Sequence, residues 1–152
     1  MNQKLTVGFL VLTGMILSAC NNTDGTNIVS RYSTDKCAVD SIAGKPDAIV
    51  YIKPGKLEIS GWAFDDFKHT TSGELEIHMA GAQGEPIIVK NPSRISRPDL
   101  VKAFNNSALD GSGFIFTVDT SALPRGAYGL TVDTRQGKAL FVCQSKKFVV
   151  II

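Results

Sequence analysis

Two histidines and a few carboxylates are the first places to look for chemistry. His69 closes the segment Asp65-Asp66-Phe67-Lys68-His69, where two carboxylates and an imidazole are competent ligands for a divalent cation. The spacing matches no metal loop, and Lys68 puts a positive charge among the ligands, so a solvated turn is expected. His78 alternates with Glu74 and Glu76, which predicts the polar face of a strand. Ser112 in Asp110-Gly111-Ser112-Gly113-Phe114 has a superficial likeness to the Gly-x-Ser-x-Gly nucleophile elbow. It lacks the second glycine at the right place, and it precedes a strand where the elbow leads into a helix. There is no phosphate loop, and no carboxylate pair stands out for glycoside cleavage. No catalytic residue, metal ligand or cofactor is expected: the chain reads as a non-enzyme.

Basic residues offer a second kind of site. Lys90, Arg94, Arg97 and Lys102 gather between a strand and a short helix, and Lys146-Lys147 precede the last strand. Such local charge could draw an anionic partner, lipid head groups or a phosphorylated glycan; the plainer reading is a solvated loop. With 16 Lys+Arg against 14 Asp+Glu, the chain is too nearly neutral for a nucleic-acid binder held by phosphate neutralisation.

The N-terminus speaks more clearly. Lys4 is followed by Leu5–Leu17, thirteen uncharged and mostly apolar residues. A helix needs about 20 residues to span hydrocarbon, so this is the length of an export signal. The run closes on Leu17-Ser18-Ala19-Cys20, which resembles the lipobox of bacterial lipoproteins. There, small residues fit a narrow peptidase cleft and the cysteine thiol receives a diacylglyceryl group. The resemblance implies that residues 1–19 are removed, that Cys20 becomes the acylated first residue, and that its fatty chains give a stable anchor. Asn21, where an Asp usually signals retention in the inner membrane, implies the outer membrane with the domain facing the periplasm; surface display is the alternative. Losing residues 1–19 removes only Lys4, so the mature chain keeps 15 basic and 14 acidic groups. Residues 20–36 are mostly polar and are expected to be a lipidated flexible tether. Residues 37–152 form the domain.

Once Cys20 is acylated, Cys37 and Cys143 remain. Two thiols in an oxidising compartment, near the two ends of one domain, are most simply a disulfide. It would close a loop of about 107 residues, worth about 4–5 kcal/mol in the chain-entropy picture.

The elements between them read as short strands separated by turns. Ile49–Ile52 stops at Pro54-Gly55, and Leu75, Ile77 and Met79 alternate with charged residues. Phe114, Phe116 and Val118 alternate in the same way, and further strands follow at Tyr128–Val132, Ala139–Cys143 and Phe148–Ile152. Leu57 and Ile59 share one parity while Trp62 and Phe64 take the other, which predicts a bulge at Gly61. Pro98 and Asp99 open one short helix that runs to Phe104. Seven or eight strands at this spacing predict an all-β antiparallel sandwich.

The chain also resembles a small β-sandwich module found at the ends of bacterial cell-surface and sugar-transfer proteins. The matching pieces are Gly61-Trp62-Ala63-Phe64-Asp65, Arg97-Pro98-Asp99-Leu100, Ser112-Gly113-Phe114 and Leu123-Pro124-Arg125-Gly126-Ala127-Tyr128; Leu100 replaces the usual Val. The resemblance implies an immunoglobulin-like fold and brings no catalytic residue with it. The expected function is a non-catalytic binding or assembly module whose partner is an envelope protein or glycan. The alternative is an anchored inhibitor or immunity protein against a lysozyme-like hydrolase or toxin, with a phage-derived exclusion lipoprotein as its variant; it rests on a likeness of Ser112-Gly113-x-x-Phe116 to the Ser-Gly-x-x-Tyr loop of lysozyme inhibitors.

Overall fold

A computed structural model describes residues 30–152; the export signal, the lipobox and Cys20 lie outside the described residues. The chain forms β1 (Ser30–Ser33), β2 (Cys37–Ile42), β3 (Ile49–Ile52), β4 (Lys56–Asp65), β5 (Thr70–Thr71), β6 (Glu74–Gly81), β7 (Ile87–Lys90) and β8 (Ser93–Ile95). It continues through α1 (Pro98–Phe104), a 3₁₀ helix (Ser107–Ser112), β9 (Gly113–Asp119), β10 (Gly126–Gln136) and β11 (Ala139–Ile151). The protein is all-β in class, with one α-helix among the described residues.

Two sheets divide these strands. One runs β1-β11-β10-β6-β7 with β3 also on β11; the other runs β2-β4-β9-β8 with β5 on β4. Ile42, Leu57, Ile59 and Phe114 from the second sheet meet Val50, Leu75, Ile77, Val132 and Val149 from the first in one core. Each of these side chains is almost wholly removed from water. Apolar burial of that kind is the main stabilising term of a sandwich-like domain. Cys37 on β2 and Cys143 on β11 are joined by a disulfide, which ties one sheet to the other.

Three expectations need correction. The pairing is not purely antiparallel, and eleven strands form among the described residues: β1 and β3 both run parallel to β11. At thirteen residues β11 is the longest strand, and two four-residue strands share its outer edge. Second, Ser30–Ser33 belongs to the sheet, although it lies inside the segment expected to be tether. Tyr32 gives it aromatic partners, stacking on Phe141 at 5.4 Å and meeting Phe67 edge-on at 6.1 Å. Third, Ala139–Cys143 and Phe148–Ile151 belong to one strand, with Ile152 beyond its end. The β10 residues Gly129 and Thr131 pair with Phe148 and Gln144, so β11 carries extra residues there, with Lys146 at a φ of 57°.

The parity change around Gly61 has a different cause from the one expected. Strand β4 pairs with β9 without a break from Lys56 to Trp62. Residues 57, 59, 61 and 63 all face the main core. Phe64 faces the other way into a second small core with Leu100 and Leu109, against which Trp62 packs. Both faces of β4 are therefore covered, the outer one by α1 and the 3₁₀ helix. The bulge lies in the partner strand β2, where Val39 pairs with Gly61 and Ser41 with Ser60, leaving Asp40 out of register. Gly61 is required by space: a Cβ there would sit 2.2 Å from the Ala38 carbonyl oxygen and 2.7 Å from Phe114 Cζ.

Candidate functional site

The residues of the quoted pattern have structural roles at both ends of β9, Arg97 and Gly113 where it begins and Pro124 and Tyr128 beyond where it ends. Arg97 grips Asp99 with two hydrogen bonds, Nε to Oδ1 at 2.8 Å and Nη2 to Oδ2 at 2.7 Å, and reaches Asp40 Oδ2 with Nη1 at 2.6 Å. The guanidinium beside it holds the Asp99 carboxyl at about 2, because a charge-assisted bidentate bond favours the ionised acid. Gly113 has an ordinary φ of −70°. It is needed because Ile95 and the Arg97 stem occupy the place of a Cβ, at 2.5 and 2.8 Å. Tyr128 is buried, and its hydroxyl donates back to the Pro124 carbonyl at 2.8 Å, which explains the Pro-x-Gly-x-Tyr spacing as a local clamp.

The four basic candidates do not gather into a free cationic patch. Lys90, at the edge of the first sheet, lies 3.2 Å from Glu76. Arg94, in the second sheet, donates to the Ser72 carbonyl at 2.7 Å, and burial pushes its guanidinium pKa down. Arg97 is engaged as described. Lys102 is exposed in the last turn of α1. Lys147 spends its ammonium on the carbonyls of Pro46, Asp47 and Asp40. The sequence shows their proximity along the chain but not these partners.

The titratable loops are similarly committed. Asp65 is buried, and its Oδ1 accepts the amides of Phe67 at 2.9 Å and Lys68 at 3.0 Å, a turn-forming use of a carboxylate. Asp66 accepts the Thr34 hydroxyl at 2.7 Å. His78 Nε2 stands 3.5 Å from Glu76 and 3.6 Å from Asp133. Asp133 is almost wholly buried, and that burial pushes its carboxyl pKa up against the pull of His78 and Arg31. Among the described residues no group of three or more His, Cys, Asp or Glu is placed to hold a metal ion. Ser112 is buried with its hydroxyl 3.3 Å from that of Thr71, and it projects no loop.

What sequence reasoning missed is an apolar strip on the outer face of the first sheet. One row across the strands is Ala80, Gly129, Phe148 and Ile49; the next is Ala127, Val150 and Tyr51. Phe148, Ile49 and Tyr51 are 44%, 51% and 60% exposed, far more than apolar residues that serve a core. Neither row carries a charge. A signal existed in the sequence: Ile49–Ile52 and Phe148–Ile151 are apolar at every position, so each must show apolar side chains on both sheet faces.

No family model matches the chain, and no curated protein matches it. Among solved structures, the chain is similar to an endo-β-1,4-mannanase from Thermotoga petrophila, at 16% identity and a TM-score of 0.48. The alignment covers 78% of this chain and 20% of that one, so the chain spans about a fifth of the enzyme's length.

Proposed function

We propose that the chain is an outer-membrane lipoprotein, acylated at Cys20 and facing the periplasm. Its immunoglobulin-like sandwich is a non-catalytic binding or assembly module for an envelope protein. The apolar strip of Ile49, Tyr51, Phe148 and Val150 carries this reading. Contiguous exposed apolar surface marks interaction sites, and covering it releases about 25 cal/mol for each Å². An uncharged strip suits the apolar surface of a protein better than an anionic glycan or lipid head group.

The position of the anchor supports the same reading. Strand β1, where the tether enters, pairs with Ala139–Val142, whereas the strip begins at Phe148. On the neighbouring strand β10 the partners of Ala139 and Phe148 are Gln136 and Gly129. Seven strand residues at about 3.3 Å each put the strip about 23 Å from the point of entry. The strip therefore lies toward the end of the sheet away from the point where the chain enters at Ser30.

Photo-crosslinking from position 51 in intact cells tests this. A discrete protein adduct at Tyr51, absent when the crosslinker is placed at Thr117 on the other sheet, is the expected result. A pattern no different between the two positions would defeat it.

A further inference from the structure

The second small core opens to the surface in a cavity of about 350 Å³ lined by Phe64, His69, Phe104, Asn105, Asn106 and Leu109. It sits on the outer face of the second sheet, on the opposite side of the sandwich from the apolar strip. Phe64 and Leu109 are buried and form the apolar floor, while Phe104 is 48% exposed and stands edge-on to Phe64 at 5.2 Å. The His69 ring lies 6.4 Å from that of Phe64.

The mouth is fixed by unusual backbone. His69 and Asn105 have φ of 51° and 48°, a left-handed conformation that only glycine adopts without steric cost. Local bonds hold both in place. The His69 amide donates to the Asp65 carbonyl at 2.9 Å, and the His69 carbonyl accepts from Asn106 Nδ2 at 2.6 Å. Asn106 also caps the 3₁₀ helix through Ala108 N, so its carboxamide is spent. The exposed carboxamide of Asn105 and imidazole of His69 remain to face a ligand. A helix end explains an Asn at position 105 as readily as a Gly. It does not explain an imidazole at the matching position across the same cavity.

We propose that this cavity binds a single uncharged pyranose ring. No Lys, Arg, Asp or Glu lines it, so it lacks the fixed charge that a phosphate or carboxylate site normally supplies. Its volume is at the small end for ligand sites, enough for one ring. The C–H face of a pyranose packs on the exposed phenyl of Phe104, while its hydroxyls meet the donor and acceptor of Asn105 and the imidazole of His69. The aromatic side chain of a partner protein would use Phe104 equally well but would leave that amide and imidazole desolvated and unpaired, which is costly.

Ligand-observed saturation-transfer NMR on the mature, lipidated chain in detergent tests the assignment, with glucose, N-acetylglucosamine and p-cresol as separate probes. Ring protons of at least one sugar should receive saturation. Phe104→Ser should weaken that binding about tenfold, the equivalent of about 1.4 kcal/mol. His69→Gly and Asn105→Gly should also weaken it while keeping or raising Tm, because glycine relieves the backbone. A merely structural role for those side chains would leave binding unchanged in the two glycine variants, and that result overturns the proposal. So does saturation of p-cresol alone, or sugar binding that survives Phe104→Ser. Crosslinking at Tyr51 is unaffected by any of these outcomes, so the two sites stand or fall separately.

Discussion

Asp40, the one residue of β2 left out of register, accepts a hydrogen bond from Arg97 Nη1 at 2.6 Å. The contact joins an edge strand to the start of α1. The same arginine grips Asp99 on the first turn of that helix and lays its stem where Gly113 has no side chain. A bulge, a helix start and a strand start thus converge on one half-buried guanidinium.

Removing that guanidinium should loosen all three. Arg97→Ala is expected to lower Tm by roughly 5 °C, and Arg97→Lys should rescue it poorly, since an ammonium cannot make the bidentate bond. The pH dependence has a definite sign. Asp99 has its pKa lowered from 3.8 to about 2, so its contribution is present above pH 3.8 and is lost as pH falls through about 2. The Tm difference between the native chain and Asp99→Asn should close over that window.

Gly61→Ala is expected to be the most damaging methyl that can be added. Its Cβ would enter the backbone of β2 at 2.2 Å from a carbonyl oxygen, which flexible side chains cannot relieve. A loss of about 3 kcal/mol or more is expected, measured by urea unfolding. An unchanged midpoint would mean that β2 does not pack this closely.

The Cys37–Cys143 bridge crosses the two sheets at a sequence separation of 106. Replacing both cysteines by Ser should cost about 2–5 kcal/mol. The same loss should appear in the native chain when reductant is added, and reductant should leave the double variant unchanged.

Asp133 works in the opposite direction from Asp99. Burial raises its pKa above the ordinary 3.8, so the folded chain holds that proton more tightly than the unfolded one. The group opposes folding once the pH passes 3.8, and fully so above its folded pKa. Asp133→Asn should therefore raise Tm at pH 7, with the gain vanishing below pH 3.8. Thermal unfolding across that range decides it, and a variant less stable at pH 7 would contradict the sign.

Much of the fold is legible where one sheet face is buried and the other wet. Leu75, Ile77 and Met79 alternate with Glu74, Glu76 and His78 and form the strand they predict. Trp62 and Phe64 mislead for a physical reason: α1 and the 3₁₀ helix give β4 a second buried face, and alternation cannot say which side of a doubly covered strand is the main core. Strand β2 is hidden by its own bulge, which breaks the alternation at Asp40. Strand β1 is short and polar and depends on Tyr32 meeting Phe141, residues far apart in the chain. The cavity is illegible for the same reason, since its walls come from residues 64–69 and 104–109, joined only in the folded chain.

The proposal that a lipid anchor at Cys20 holds the cross-linked β domain is tested most directly by intact mass analysis of the protein taken from native membranes. It predicts a chain that starts at Cys20, carries the mass of a diacylglyceryl group and further acyl chain on that sulfur and amine, and is two hydrogens lighter for the Cys37–Cys143 bond. A chain that retains residues 1–19, or one with an unmodified thiol at Cys20, would contradict it.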